Sequence, residues 1–134
     1  MRRPALVTVT ALVMLLVSCQ QGNPTEPPIP PGPSALSGRI TGGNTAELNW
    51  TQCPDTNFLR YRLYRARSSG IQQNPDQATI LLSTEDITQR SFSDTGLSAG
   101  HWYYAVQTEN DDNLTSWSNE VHLQVQVQAK SDRP

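Results

Sequence analysis

The sequence predicts an all-β fold, an antiparallel β-sandwich of about seven strands. Three observations carry this reading. Between residues 35 and 128, apolar side chains recur at every second position in several short runs. Clusters of Gly, Asn, Asp and Pro punctuate those runs. No segment of helical length shows helical periodicity. Alternation with one apolar face is what antiparallel sheets require when they pack on one side and meet water on the other. The 134 residues hold one such domain once the two ends are set aside. A domain of that size buries roughly 60–70% of its unfolded surface and folds without metals or disulfides.

The chain opens with Arg2 and Arg3, then an apolar run of 13 residues, ALVTVTALVMLLV, from 5 to 17. A membrane-spanning helix needs about 20 apolar residues, so this run reads as a secretory leader, residues 1–18. It ends in Leu16-Val17-Ser18-Cys19, which resembles the bacterial lipobox. That resemblance implies cleavage before Cys19 and acylation of Cys19, anchoring the protein in a cell-envelope membrane through its acyl chains. Stable anchoring takes more than one chain, and a lipobox cysteine carries two or three. Gln20 follows the cysteine where an Asp often signals inner-membrane retention, so the outer membrane is favoured where there is one. The alternatives are an ordinary signal cut near Ser18, and a Cys19–Cys53 disulfide in a secreted chain. With Cys19 acylated, Cys53 is a lone thiol.

Residues 19–34 comprise that cysteine and a stretch holding six of the ten prolines. Proline fixes φ and lacks the N–H, so an extended spacer is expected, up to residue 34. A proline ligand for an aromatic groove is the other reading. The globular domain is placed at 35–128 and a disordered tail at 129–134.

Within the domain, Ala46, Leu48 and Trp50 alternate with Glu47, Asn49 and Thr51. Leu59, Tyr61 and Leu63 alternate with Arg60, Arg62 and Tyr64. Trp102, Tyr104, Val106 and Thr108 alternate with Tyr103, Ala105 and Gln107, and Val121, Leu123, Val125 and Val127 form the cleanest run. WTQCPDTNFLRYRLYRA (50–66) resembles the B-to-C stretch of fibronectin type III domains, with Trp50, Pro54, Leu59, Tyr61 and Leu63 in the family's places. SFSDTGLSAGHWYYAV resembles its E-to-F corner through Phe92, Asp94, Leu97 and Gly100, and TSWSNEVHLQV its strand G. The resemblance implies an immunoglobulin-like sandwich. The family's corner tyrosine has no exact counterpart: either Trp102 points inward and substitutes through its indole N–H, or the register slips by one and Tyr103 serves. Parity favours Trp102, which keeps Tyr104 and Val106 on its face.

No catalytic constellation is legible. His101 and His122 form no ligand-spaced pair in sequence, and Cys53 sits in a Pro-Asp turn without a neighbouring base. The oxygen-rich run Glu109–Asn113 lacks the ligand spacing of a calcium loop and matches a turn. The expectation is therefore a non-catalytic module with no cofactor and no metal. Ten basic residues face twelve acidic ones, a net charge of -2. Losing Arg2 and Arg3 leaves eight against twelve, or -4, which argues against nucleic acid.

Phe58, Arg60, Arg62 and Tyr64 are expected on the outer face of the strand that carries Leu59, Tyr61 and Leu63, with Tyr103 beside them from its neighbour. Arg and Tyr are enriched at interface hot spots, so this is the candidate interaction face for an envelope or extracellular protein. The long connection at 67–78 is a second candidate. The alternatives are a carbohydrate-associated module, which would need exposed aromatics, and a passive spacer in an envelope complex.

Overall fold

The computed structural model describes residues 26–129. The expected leader, Cys19 and the tail beyond 129 lie outside the described residues. Among the described residues, eight strands run in chain order: β1 (Leu36–Thr41), β2 (Thr45–Trp50), β3 (Phe58–Ala66), β4 (Thr79–Thr84), β5 (Ser91–Asp94), β6 (Gly100–Asn110), β7 (Thr115–Trp117) and β8 (Val121–Val125). One sheet has the order β1-β2-β5; the other has β4-β3-β6-β7, with β8 also pairing β6. Every pairing is antiparallel. The count exceeds seven because the last strand is broken between Trp117 and Val121. There Ser118 donates its N–H to Val106 O at 2.8 Å and its Oγ accepts from Val106 N at 2.9 Å, so a side chain replaces part of the ladder.

The core lies between the sheets, where alternation puts it. Ala46, Leu48 and Trp50 from β2 face Tyr61 and Leu63 from β3 and Trp102, Tyr104 and Val106 from β6. Gly38 on β1 leaves room for the inward Leu48 side chain of its ladder partner, since a Cβ there would lie 2.7 Å from Leu48 Cδ2. Trp102 points inward, and its indole N–H donates to Ser98 O at 2.9 Å. The substitution for the corner tyrosine therefore stands and the register does not slip. The final strand is shorter than its alternation suggested: β8 stops at Val125, and Val127 is 80% exposed.

The proline-rich stretch does not remain free up to residue 34. Pro31 and Ser34 are buried. Gly32 N–H donates to Asp55 Oδ2 at 2.6 Å, and Asn110 Nδ2 donates to Ile29 O at 2.9 Å. Proline leaves few backbone donors on this segment, so side chains of the β2–β3 loop and of the end of β6 hold it instead. Asn110, inside the oxygen-rich run, is fully buried and also accepts from Leu114 N–H at 2.9 Å.

Candidate functional site

The outer face of β3 and β6 differs from its expected form at two residues. Phe58 is not on it. A register shift between Phe58 and Arg60 opposes both steps of β3 to one step of β6, from Asn110 to Glu109. Leu59 is the extra residue of a bulge, and the bulge turns Phe58 inward. Its ring lies 4.5 Å from that of Tyr61, against the main core. Tyr64 is on the outer face but is buried, with 7% exposed.

The cover over Tyr64 is the 67–78 connection. It returns across the sheet and sets Ile71, 1% exposed, against Tyr64 and Ala105, with Trp117 and Tyr103 flanking. The rings of Tyr64 and Trp117 are 5.0 Å apart. The Glu120 carboxylate pins the loop, accepting from Gly70 N–H at 3.0 Å and Ile71 N–H at 2.9 Å. Gly70 has φ +91, a conformation that a Cβ would strain. A short 3-10 turn, Pro75–Gln77, leads back into β4. The long loop thus closes a second small core rather than standing free.

Arg60 and Arg62 keep their predicted outward positions, but both are engaged. Arg62 Nη1 lies 2.6 Å from Glu109 Oε2, and Arg60 Nε lies 3.3 Å from the same oxygen. Arg60 also reaches Glu85 at 3.5 Å, and Arg62 donates to Gln107 Oε1 at 3.2 Å. Glu109 is opposite Arg60 in the register, so the pairing is a cross-strand one. Tyr64 OH donates to the same Gln107 oxygen at 3.3 Å, and burial pushes its phenol pKa up.

Tyr103 is half-buried on the same face. Its ring stacks on His122 with centroids 4.7 Å apart and planes 13° apart. His122 in turn meets His101, with Nε2 and Nδ1 separated by 2.8 Å. Sequence spacing missed this pair. The register places Tyr103 opposite His122 and His101 opposite Gln124, so the two histidines are diagonal neighbours only once β6 and β8 are aligned.

Two further groups close the sandwich. At one end Asp94 takes Arg65 Nη1 at 3.0 Å and the Tyr104 hydroxyl at 2.9 Å. Burial first, then the Asp94 carboxylate, drives the Tyr104 pKa well above its ordinary value. The guanidinium carbons of Arg65 and Arg67 lie 4.8 Å and 3.5 Å from the Trp102 ring centre. At the other end Cys53 is buried. Its Sγ lies 3.5 Å from Asp55 Oδ2, its N–H donates to Tyr61 OH at 2.8 Å, and burial pushes its thiol up. A shielded, protonated thiol is a poor nucleophile.

The comparisons agree with this architecture. No family model matches the sequence, and no curated protein does either. Among solved structures, an Fn3-like protein from Clostridium thermocellum is similar at 26% identity and TM-score 0.57, over 76% of this chain and all of that one. The sixth fibronectin type III domain of human fibronectin type III domain containing protein 3 is similar at 17% identity and TM-score 0.57, over 83% of this chain and 98% of that one. Pectate lyase PelI from Erwinia chrysanthemi, solved with tetragalacturonic acid, is similar at 21% identity and TM-score 0.56. There the match covers 68% of this chain and 28% of the lyase, so it concerns the fold of one part of that enzyme. The chain therefore carries the fibronectin type III fold, an immunoglobulin-like β-sandwich, and such a fold serves as a binding or spacer module.

Proposed function

We propose that this protein is a lipid-anchored envelope module whose sandwich, without catalysis, engages another envelope or extracellular protein. The observation that carries the anchoring is Leu16-Val17-Ser18-Cys19 at the end of a short apolar run, followed by a proline-rich stretch. The docking of residues 29–34 gives that anchor a direction. Only the residues between Cys19 and Ile29 remain as spacer, about 30 Å when extended. The end of the sandwich bearing Asp55 and Asn110 then faces the lipid, and the end bearing Ser98 and Arg67 faces away.

The partner surface is narrower than the alternation implied. Arg60 and Arg62 share the Glu109 carboxylate, Arg60 also reaches Glu85, and Tyr64 is covered. Exposed groups on the outer face include the stack of Tyr103, His122 and His101, and Ile80 opposite Tyr64. A glycan-binding role draws little support, since Tyr64 and Phe58 are withdrawn from the aromatic surface it would use. A spacer role is the second reading, and the mutual pairing of Arg60 and Arg62 with Glu109 favours it.

Cross-linking in intact cells, with a photoreactive residue replacing Gln124 beside His122, separates the two. One dominant protein adduct supports the binding module. Adducts no richer than those from a site on β1 support the spacer. Loss of acyl labelling and of membrane fractionation in Cys19→Ala is the expected result for the anchor; no change would overturn it.

A further inference from the structure

We propose that His101 and His122 form a surface site for a divalent transition-metal cation of the imidazole-binding class, tested here as Zn2+. Imidazole is a favoured ligand of such ions, and the site needs neither the lipid anchor nor a protein partner.

The two rings approach through nitrogen. His101 Nδ1 and His122 Nε2 are 2.8 Å apart, while the ring centres are 5.0 Å apart and the planes differ by 28°. A centre separation so much longer than the nitrogen contact means that the two nitrogens face one another between the rings. One must donate a hydrogen to the lone pair of the other. A cation takes a lone pair from both. The ring that carried the shared hydrogen moves it, through solvent, to its far nitrogen.

The backbone holds the pair in place. His122 is opposite Tyr103 in the β6–β8 ladder, His101 is two residues along on the same face, and His122 is braced against the Tyr103 ring. Tetrahedral zinc with bonds of about 2.0–2.1 Å sets its ligand nitrogens roughly 3.3 Å apart. The rings must therefore part by about half an ångström and tilt, which two exposed side chains on a solvent face can do. Among the described residues, no group of three or more His, Cys, Asp or Glu converges. Water completes the coordination, and the ion stays open to exchange or to a further ligand from outside. Arg67, whose Nη1 lies 3.4 Å from the His101 carbonyl oxygen, directs its charge onto the Trp102 ring.

The test titrates zinc sulfate into the full, tag-free chain in mild detergent. Imidazole nitrogen shifts by NMR and heat by calorimetry are the readouts. The expected result is saturable movement of both rings at one ion per chain, and at least about a tenfold loss of affinity in His101→Gln and in His122→Gln. Circular dichroism checks the fold of each variant. If a variant misfolds, the ring shifts of the unaltered chain decide alone. Absence of shifts in both rings would overturn the proposal. So would equal affinity in the unaltered chain and both variants, which would place the ion elsewhere, for example on a cysteine thiol.

Discussion

The indole N–H of Trp102 donates to the carbonyl of Ser98 at 2.9 Å, four residues upstream and at the start of the turn into β6. The bond ties the inward ring to the corner that precedes it. It also holds the ring where the Arg65 and Arg67 guanidiniums reach it. Trp102→Phe keeps an aromatic ring but trims its bulk, removes the donor and weakens the cation–π contact. The expected cost is about 1–3 kcal/mol in urea unfolding. A change below about 0.5 kcal/mol would show that the corner bond contributes nothing net.

Ile71 is the keystone of the second small core. Ile71→Ala should cost about 2–4 kcal/mol, since it empties a buried site over Tyr64 and Ala105. Glu120→Gln removes the charge from the two bonds to Gly70 and Ile71 N–H. Its expected signature is local: faster hydrogen exchange at those two amides, with the exchange of core amides on β6 unchanged. Equal acceleration throughout would mean that the loop is not a separate opening unit.

Arg62 and Glu109 meet across strands at 2.6 Å, with about a quarter of the arginine side chain and an eighth of the glutamate exposed. Such a pair is neither freely solvated nor fully buried. A double-mutant cycle with Arg62→Ala and Glu109→Ala should give a coupling of about 0.5–1.5 kcal/mol, smaller at high salt. Arg60 shares the same carboxylate oxygen, so it partly compensates when Arg62 is lost.

Alkaline stability follows from the phenols. Tyr61, Tyr64 and Tyr104 all have raised pKa values, chiefly through burial. The folded state therefore favours the neutral phenol. Their contribution is fully present below the ordinary tyrosine value of about 10 and is lost as pH climbs above it, because the unfolded chain ionises first. Each phenol steepens the decline by up to about 1.4 kcal/mol per pH unit. Absorbance from these three tyrosinates should appear together with the loss of near-ultraviolet circular dichroism. Tyrosinate from all three in a chain with native dichroism would contradict the assignment.

Side-chain facing on β2 and β6 was legible because it depends on residues two apart. Ala46, Leu48 and Trp50 must share a face, as must Trp102, Tyr104 and Val106, whatever lies opposite. The same rule misplaced Phe58, because one inserted residue, Leu59, resets parity and leaves no mark in composition. It placed Tyr64 correctly yet could not show that Ile71 covers it. That burial depends on a loop returning across the sheet to a carboxylate about fifty residues away.

The chain by itself determined the all-β class, the position of the 67–78 connection and the inward Trp102. It also supplies the short apolar run and lipobox-like motif on which the anchoring proposal rests. These follow from local pattern: period-two alternation, turn-forming residues and short motifs. The tertiary structure alone decided which outward side chains remain available. It docked residues 29–34, paired Arg60 and Arg62 with Glu109, sealed Tyr64 and brought His101 to His122. Each depends on strand register or loop return between segments distant in sequence, where contact geometry rather than local periodicity selects the partner.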